Sequence, residues 1–229
     1  MNILATNRFY QFILLILFYN ISYSATPNIG IVKLFYASNA KISYFSPQES
    51  ITKDKLLNGL ESQLVHKIDS SYSYNAFNAE SILLSWQQIN PNIVSILESE
   101  SIYPQNESIG IESQIKTSSS SNYILIGWIT NLTYQNSVNE FPDINKKSII
   151  HNLDIRVIYK LFDINTKKSI FEFTAIGHGG NAVIVPINYN TNSYRNSQTV
   201  NNTITTFVDS VLHGLLLRHE QGYLNSDDN

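Results

Sequence analysis

The chain has 229 residues, a net charge of −3 and only 14% charged side chains. This low charge, without a basic stripe, excludes the electrostatic footprint that proteins use to bind nucleic acid. The chain contains no cysteine, which excludes disulfides, thiolate catalysis and cysteine-ligated metal ions. Its length predicts one sizeable hydrophobic core.

Residues 1–24 have the pattern of a secretory signal peptide. Arg8 supplies the basic region, residues 9–19 are almost wholly apolar, and Ser22 and Ser24 lie at the positions that signal peptidase reads. The apolar run is shorter than the ~20 residues that a membrane-spanning helix needs. Because no cysteine is available for lipid attachment, we expect a periplasmic protein, not a lipoprotein, that reaches the membrane only through a partner.

Residues 25–225 are predicted to form a single domain in which strands and helices alternate. Residues 28–35 are an apolar run rich in branched side chains, typical of a buried strand, whereas residues 36–47 are polar and predict turns. Leucines at helical spacing predict an amphipathic helix over residues 50–68. A second strand is predicted over residues 72–77.

A second helix and a connection are predicted next. Asn78 is placed to cap a helix that carries Leu83 and Trp86 and ends near Pro91, because the residue before a proline disfavours helical backbone. Residues 98–121 show no clear pattern, and we interpret them as an ordered connection within the same domain.

The C-terminal half predicts a three-stranded antiparallel meander over residues 122–176. Residues 122–129 predict its first strand, and residues 135–147 predict a hairpin loop because they contain a proline and several charges. Residues 151–163 alternate between apolar and polar side chains, which is typical of a strand with one face against helices. Residues 169–176 predict the return strand.

A long loop and a closing helix complete the domain. Residues 177–202 are rich in glycine and asparagine and predict a loop, which at this length is usually functional or disordered. Residues 203–223 predict an amphipathic helix, and residues 226–229 are a polar tail. Together the elements predict an α/β (α+β) fold: a single three-layer domain whose mixed sheet has a C-terminal antiparallel meander flanked by amphipathic helices.

The sequence offers little catalytic chemistry. Residues 177–180 (Gly-His-Gly-Gly) are similar to a loop that donates backbone N–H groups to an oxyanion in some hydrolases, but the accompanying G-x-S-x-G motif is absent. We favour a flexible strand-exit loop in which glycine supplies a positive φ angle. His213 and His219 are six residues apart on a helix, which excludes an i, i+4 metal pair. No catalytic residue, metal or cofactor is predicted.

Three residues of the predicted loop are candidates for binding a protein partner. Tyr189, Tyr194 and Arg195 lie close together in the sequence, and tyrosine and arginine are enriched in interface hot spots. Decoration of a loop in a tyrosine-rich protein is the alternative interpretation. We therefore predict partner binding through this loop or through a strand edge.

The order of the elements resembles the CsgG/LpoB-like group, which contains the curli-secretion pore protein and a penicillin-binding-protein activator. Residues 122–127 (Asn-Tyr-Ile-Leu-Ile-Gly) are similar to its third strand, A-D-Y-hydrophobic-hydrophobic-x-G, with Asn122 in place of the acid. Residues 161–168 (Leu-Phe-Asp-Ile-Asn-Thr-Lys-Lys) are similar to its turn, (V/F)-(D/N)-x-x-T-x-(E/K). The resemblance implies a periplasmic α/β domain that performs no chemistry, although both named members resemble cysteine-anchored lipoproteins.

The expected function is that of a non-enzymatic periplasmic accessory protein that docks on a larger envelope assembly. A cell-wall synthase, a secretion or pilus apparatus, and the flagellar basal body are candidate assemblies. The alternative is an oligomeric outer-membrane secretion channel component. A channel of this kind would need a membrane-spanning β-hairpin, but residues 193–202, which would form the return strand of that hairpin, are almost entirely polar. A second alternative is an uncharacterised hydrolase that uses His178. No small-molecule substrate is expected.

Overall fold

The computed structural model describes residues 26–43, 47–71, 73–79, 122–164, 168–189 and 197–220, with Leu84, Gln87 and Gln88. These residues form a six-stranded mixed sheet and two long helices. The strands are β1 (Asn28–Ile31), β2 (Phe35–Ile42), β3 (Asn75–Asn78), β4 (Tyr123–Phe141), β5 (Lys146–Asp163) and β6 (Lys168–Pro186). The helices are α1 (Pro47–Asp69) and α2 (Ser197–Glu220), and a short 3-10 turn spans Pro142–Ile144.

The sheet has a parallel half and an antiparallel half. Its strand order is β3-β1-β4-β5-β6, and β2 pairs with β4 beyond the end of β1. Strand β1 pairs in parallel with β3 and with β4, and β2 pairs in parallel with β4. Strands β4, β5 and β6 form an antiparallel meander. The predicted α/β fold with a mixed sheet and a C-terminal meander is therefore confirmed.

Both helices pack on one face of the sheet. On β5 the predicted apolar face is fully buried, at Leu153, Ile155, Val157, Tyr159 and Leu161. Helix α1 buries Leu56, Leu60, Leu64 and Ile68 against the same core, and α2 buries Ile204, Phe207, Val208, Val211 and Leu215. The two predicted amphipathic helices are confirmed, since each has its apolar stripe turned towards the sheet.

A smaller apolar cluster lies on the opposite face of the sheet. It contains Ile124, Ile126, Trp128 and Phe162, together with residues of and around β2. The predicted helix starting at Asn78, which would make the third layer, lies almost wholly outside the described residues.

Among the main-core residues that lie on the meander, Tyr159 is the largest side chain that is fully buried. Its ring stacks on Phe173 with 5.5 Å between centroids and contacts Phe207 at 6.2 Å. Burial raises the pKa of the Tyr159 hydroxyl above its ordinary value, and the negative charge of Glu61 adds to the effect. Gly127 accommodates this ring, because a Cβ atom there would lie 2.6 Å from Cε1 of Tyr159.

Two predicted loops are largely strand. Residues 36–47 were expected to form turns, but β2 runs from Phe35 to Ile42. The prediction was wrong because β2 buries only Phe35 and Ala37, so its sequence lacks the apolar run of a core strand. The hairpin predicted over residues 135–147 turns only at 142–145, where Asn145 adopts the left-handed conformation (φ 53°), which asparagine tolerates better than most residues.

The predicted long loop over residues 177–202 was also wrong at both ends. Strand β6 continues to Pro186, and α2 begins at Ser197. The glycines at 177 and 179 do not supply a positive φ angle here. A Cβ atom at Gly177 would lie 2.6 Å from Cβ of Phe207, and one at Gly179 would lie 2.2 Å from the backbone oxygen of Thr199. These two glycines therefore allow α2 to lie directly against β6.

Helix α2 also closes the outer edge of β6 with hydrogen bonds. Asn202, Thr206 and Ser210 follow one another every four residues, so they lie along one side of the helix. Ser210 Oγ accepts from the Ile176 N–H at 3.1 Å, and Asn202 Nδ2 donates to the Gly180 carbonyl at 3.4 Å. Thr206 Oγ1 accepts from the N–H of His178 at 2.9 Å and lies 2.8 Å from its carbonyl oxygen. A sheet edge whose backbone groups are bonded in this way is protected from pairing with another strand.

Replacing Gly179 with alanine is expected to destabilise the fold by about 3 kcal/mol, because the new methyl group would collide with the backbone of α2. Urea unfolding followed by circular dichroism measures the change. Gly180→Ala is the matched control, since its nearest neighbour would be a side-chain atom, Asn152 Oδ1, at 3.1 Å. Equal stability of the two variants would contradict close packing of α2 on β6.

Replacing Thr206 with valine is expected to lower the free energy of unfolding by about 1 kcal/mol, because it leaves the shape unchanged and removes the hydroxyl from the β6 edge. The neighbouring Thr205→Val is the control, since the Thr205 hydroxyl donates within the helix, to the Asn201 carbonyl at 3.0 Å. A loss from Thr205→Val equal to that from Thr206→Val would show that sealing of the edge contributes nothing.

Candidate functional site: the end of the meander

The meander projects beyond the helices as a three-stranded ribbon. Strands β4 and β5 stay in register to the pair Phe141–Lys146, and β5 and β6 stay in register to Lys146–Pro186. We define the ribbon tip as residues 135–150 together with residues 181–189. All twelve residues from 135 to 146 are exposed, so this part of the tip is open to solvent, whereas Lys147 and Ile149 of β5 are buried.

Exposed apolar side chains concentrate at the ribbon tip. Val138 is 41% exposed, Phe141 44%, Ile144 62% and Ile184 68%. These four make up half of the large apolar side chains that are exposed in the described part of the chain; the other four are Ile42, Leu84, Ile176 and Leu217. Single exposed apolar residues are ordinary, but a group of them at one place marks an interaction surface.

The alternation of the strands divides these residues between two faces. Phe141 lies in register with Lys146 and Pro186, and the row of Ile184 lies two residues away on the same face. Val138 is in register with Ile149 and therefore lies on the opposite face, which continues into the main core. Phe141 and Ile184 thus lie on one face of the sheet, with Lys146 and Ser148 of β5 between them. We refer to these two residues, together with Ile144 of the turn, as the apolar surface.

Backbone hydrogen bonds hold the turn in one conformation. The Asn145 N–H donates to the Pro142 carbonyl at 3.0 Å, and the Ile187 N–H donates to the Asn145 carbonyl at 3.2 Å. The Tyr189 N–H then donates to the Pro186 carbonyl at 2.9 Å. The chain that follows β6 is therefore tied to the β4–β5 turn.

The predicted partner-binding residues are placed only in part. Tyr189 is half-buried at the ribbon tip, beside the apolar surface, whereas Tyr194 and Arg195 lie outside the described residues. Phe141, Ile144 and Ile184 were missed as candidates. The alternation of Val183 and Val185 was a usable signal for a strand here, but the exposure of Ile184 on its outer face depends on the tertiary structure.

A buried polar contact lies at the base of the ribbon. The hydroxyl of Tyr134 is 2.5 Å from Nδ1 of His151, and the two rings stack with 5.9 Å between centroids. His151 is 4% exposed. This contact connects β4 to β5 where the core ends and the ribbon tip begins.

His178 forms the one chemically suggestive pair among the described histidines. Its Nδ1 lies 2.5 Å from Oδ1 of Asp154, directly across from it on β5. A carboxylate in this position orients an imidazole, as in hydrolases, but such an enzyme also needs a nucleophile within hydrogen-bond reach. The imidazole and the carboxylate are 63% and 40% exposed, so the pair lies on an open sheet face. The hydrolase alternative stays a prediction.

Two further properties concern the described residues alone. No three His, Asp or Glu side chains among them gather closely enough to hold a metal ion. Neither α1 nor α2 has the combination of length and apolar character needed to cross a membrane.

Comparisons with known proteins give no family. No protein-family model matches the chain, and no curated protein matches it. The resemblance to the CsgG/LpoB-like group therefore stays a prediction.

Several solved structures of bacterial proteins are similar to the chain. A homologue of a neuraminyllactose-binding hemagglutinin from Helicobacter pylori aligns with a TM-score of 0.43 and 10% identity, over 87% of this chain and 91% of that one. A lipoprotein from Neisseria meningitidis aligns with a TM-score of 0.39 and 11% identity, over 83% of this chain and 99% of that one. A hypothetical protein from Chlamydia trachomatis aligns with a TM-score of 0.38 and 14% identity, over 90% of this chain and 100% of that one. At these scores no function is transferred to the chain.

Replacing His178 with alanine is expected to lower the free energy of unfolding by less than about 1 kcal/mol, because exposed ion pairs contribute little. Chemical denaturation at neutral pH measures the change, with Asp154→Asn as the partner variant. A loss of several kcal/mol from either substitution would show that the pair is more than a surface contact.

Proposed function

We propose that this protein is a non-enzymatic accessory protein of the bacterial periplasm that docks on a larger envelope assembly through its ribbon tip. The single observation that carries the proposal is the concentration of exposed apolar side chains at the tip. The family resemblance and the signal-peptide pattern of residues 1–24 support the compartment.

The composition of the tip fits a protein partner. Interfaces combine apolar anchors near their centre with a polar rim. At the tip, Phe141, Ile144 and Ile184 are the apolar group. The exposed charges Glu140, Asp143 and Lys146 lie beside them in sequence. Charges of both signs at the rim favour orientation of a partner over attraction of a polyanion.

The ordered turn supports binding without a large entropic cost. Fixing a flexible loop on binding costs free energy for each immobilised side chain and backbone unit. In the turn at 142–145, Asn145 is already hydrogen-bonded to Pro142 and to Ile187 of the chain beyond β6. A tip held in this way presents its apolar side chains in the same arrangement before and after binding.

Replacing Ile144 with aspartate is expected to weaken binding of the partner at least ~10-fold, because it places a charge among the exposed apolar side chains of the tip. Leu217→Asp is the matched control, since Leu217 is 43% exposed on α2, away from the tip. Both variants should keep the circular dichroism spectrum of the wild type.

The test is affinity purification of the full chain from envelope fractions, with and without detergent, followed by mass spectrometry. The expected result is one envelope component that co-purifies with the wild type and with Leu217→Asp and is lost with Ile144→Asp. Retention of that component by Ile144→Asp would overturn the assignment of the tip. A detergent-dependent ring without a partner would instead favour the secretion channel.

A further inference from the structure

Among the described residues, no strand neighbours the outer edge of β4 at the ribbon tip. Strand β2 ends at Ile42, and the register of β2 with β4 ends at Leu132. Ser43 makes the last contacts along this edge, through its N–H to the Leu132 carbonyl at 3.0 Å and its Oγ to the Tyr134 N–H at 2.8 Å. Among the described residues, nothing pairs with residues 135–141 on that side.

The same contacts show which backbone groups point outwards. The backbone groups of Leu132 and Tyr134 that bond to Ser43 point to the outer side of β4. The backbone groups of every second residue of a strand point to the same side. The register with β5 is regular from Asn131 to Phe141, so the alternation continues without interruption. The N–H and C=O groups of Asn136, Val138 and Glu140 therefore face the open edge.

We infer that this edge pairs with the same edge of a second copy of the chain, as an antiparallel two-fold dimer centred on Val138. The free segment begins after Tyr134, where Ser43 makes its last bond, and it ends at the turn, which starts at Pro142. Val138 is the midpoint of residues 135–141. Each of the pairs Val138–Val138, Asn136–Glu140 and Glu140–Asn136 would then exchange two backbone hydrogen bonds.

The side chains are self-complementary in this register. Val138 meets Val138 of the second copy, so a side chain that is 41% exposed gains an apolar partner. Glu140, which bears the single charge of residues 135–141, lies opposite the amide of Asn136. On the other face Ser137 lies opposite Asn139. No like charges are opposed, and opposed like charges are what destabilise cross-strand pairs.

Apart from the charge of Glu140, the edge lacks the features that normally prevent such pairing. Natural edge strands carry lysine, proline or a bulge, or they are covered by another element. Residues 135–141 contain no lysine and no proline, and their register with β5 has no bulge. Alongside the core, α2 closes the other edge of the meander through Asn202, Thr206 and Ser210, as far as Gly180 of β6.

Within the described residues, the ends of the strands are compatible with a second copy. In an antiparallel pair centred on Val138, Ser43 of the second copy comes level with the turn of the first, where the chain has already left for β5. Strand β2 of each copy thus lies beyond the end of the other copy's β4. Pairing joins the two ribbons into one sheet, and the face that bears Phe141 and Ile184 continues across it; the dimer does not depend on the proposed docking function.

The absence of cysteine from the chain allows a direct test with single cysteines. Val138→Cys should form a disulfide-linked dimer under mild oxidation, because directly opposed residues have Cα atoms about 5.5 Å apart, within disulfide range. Asn136→Cys should yield roughly tenfold less, since two copies of residue 136 would be about 14 Å apart. An equimolar mixture of Asn136→Cys and Glu140→Cys should link one copy of each.

Equal or greater linking of Asn136→Cys alone would overturn the register. Sedimentation velocity of the wild type gives the independent measurement, with a dimer expected to form as the concentration rises. Val138→Lys should remain monomeric because it opposes two lysines, whereas Leu217→Lys should dimerise like the wild type. A wild type that stays monomeric at millimolar concentration, or a Val138→Lys variant that still dimerises, would overturn the inference.

Discussion

Helix α2 can lie against strand β6 only because Gly177 and Gly179 carry no Cβ atom. This close approach brings Phe207 and Val211 into the core beneath β5. It also places Thr206 and Ser210 along the outer edge of β6. One contact therefore completes the hydrophobic core and ends the sheet on that side. Apolar burial of this kind is the main source of stability, and closing the edge determines where the sheet can still grow.

The consequence is a meander whose β6 edge is closed by a helix beside the core. At the tip, the β4 edge is open among the described residues over 135–141, which are all exposed. The apolar side chains Phe141, Ile144 and Ile184 lie at the same end, beyond the reach of both helices. An open β4 edge and exposed apolar side chains at one place explain why partner binding is proposed there and not around His178, which lies on the same face of the sheet but alongside α2.

Long, periodic elements could be predicted from the sequence, because burial of one face is written into their spacing. The leucines of α1 and the alternation of β5 are the clearest cases, since both face one continuous core. The 177–180 glycines were misinterpreted because a loop and a closely packed strand both require glycine, and only the position of α2 separates them. The ribbon tip was missed because exposure of Ile144 or Ile184 depends on where the helices end, which local sequence does not encode.

Amide hydrogen exchange in a dilute, monomeric sample tests most directly where the meander is closed and where it is open. The amides of Ile176 and His178 should be protected, because they donate to Ser210 and Thr206. The amides of Asn136, Val138 and Glu140 should exchange far faster, since they face solvent along the open edge. Equal protection of the two sets, or faster exchange at Ile176 and His178, would contradict a meander that is closed beside α2 and open along β4 at its tip.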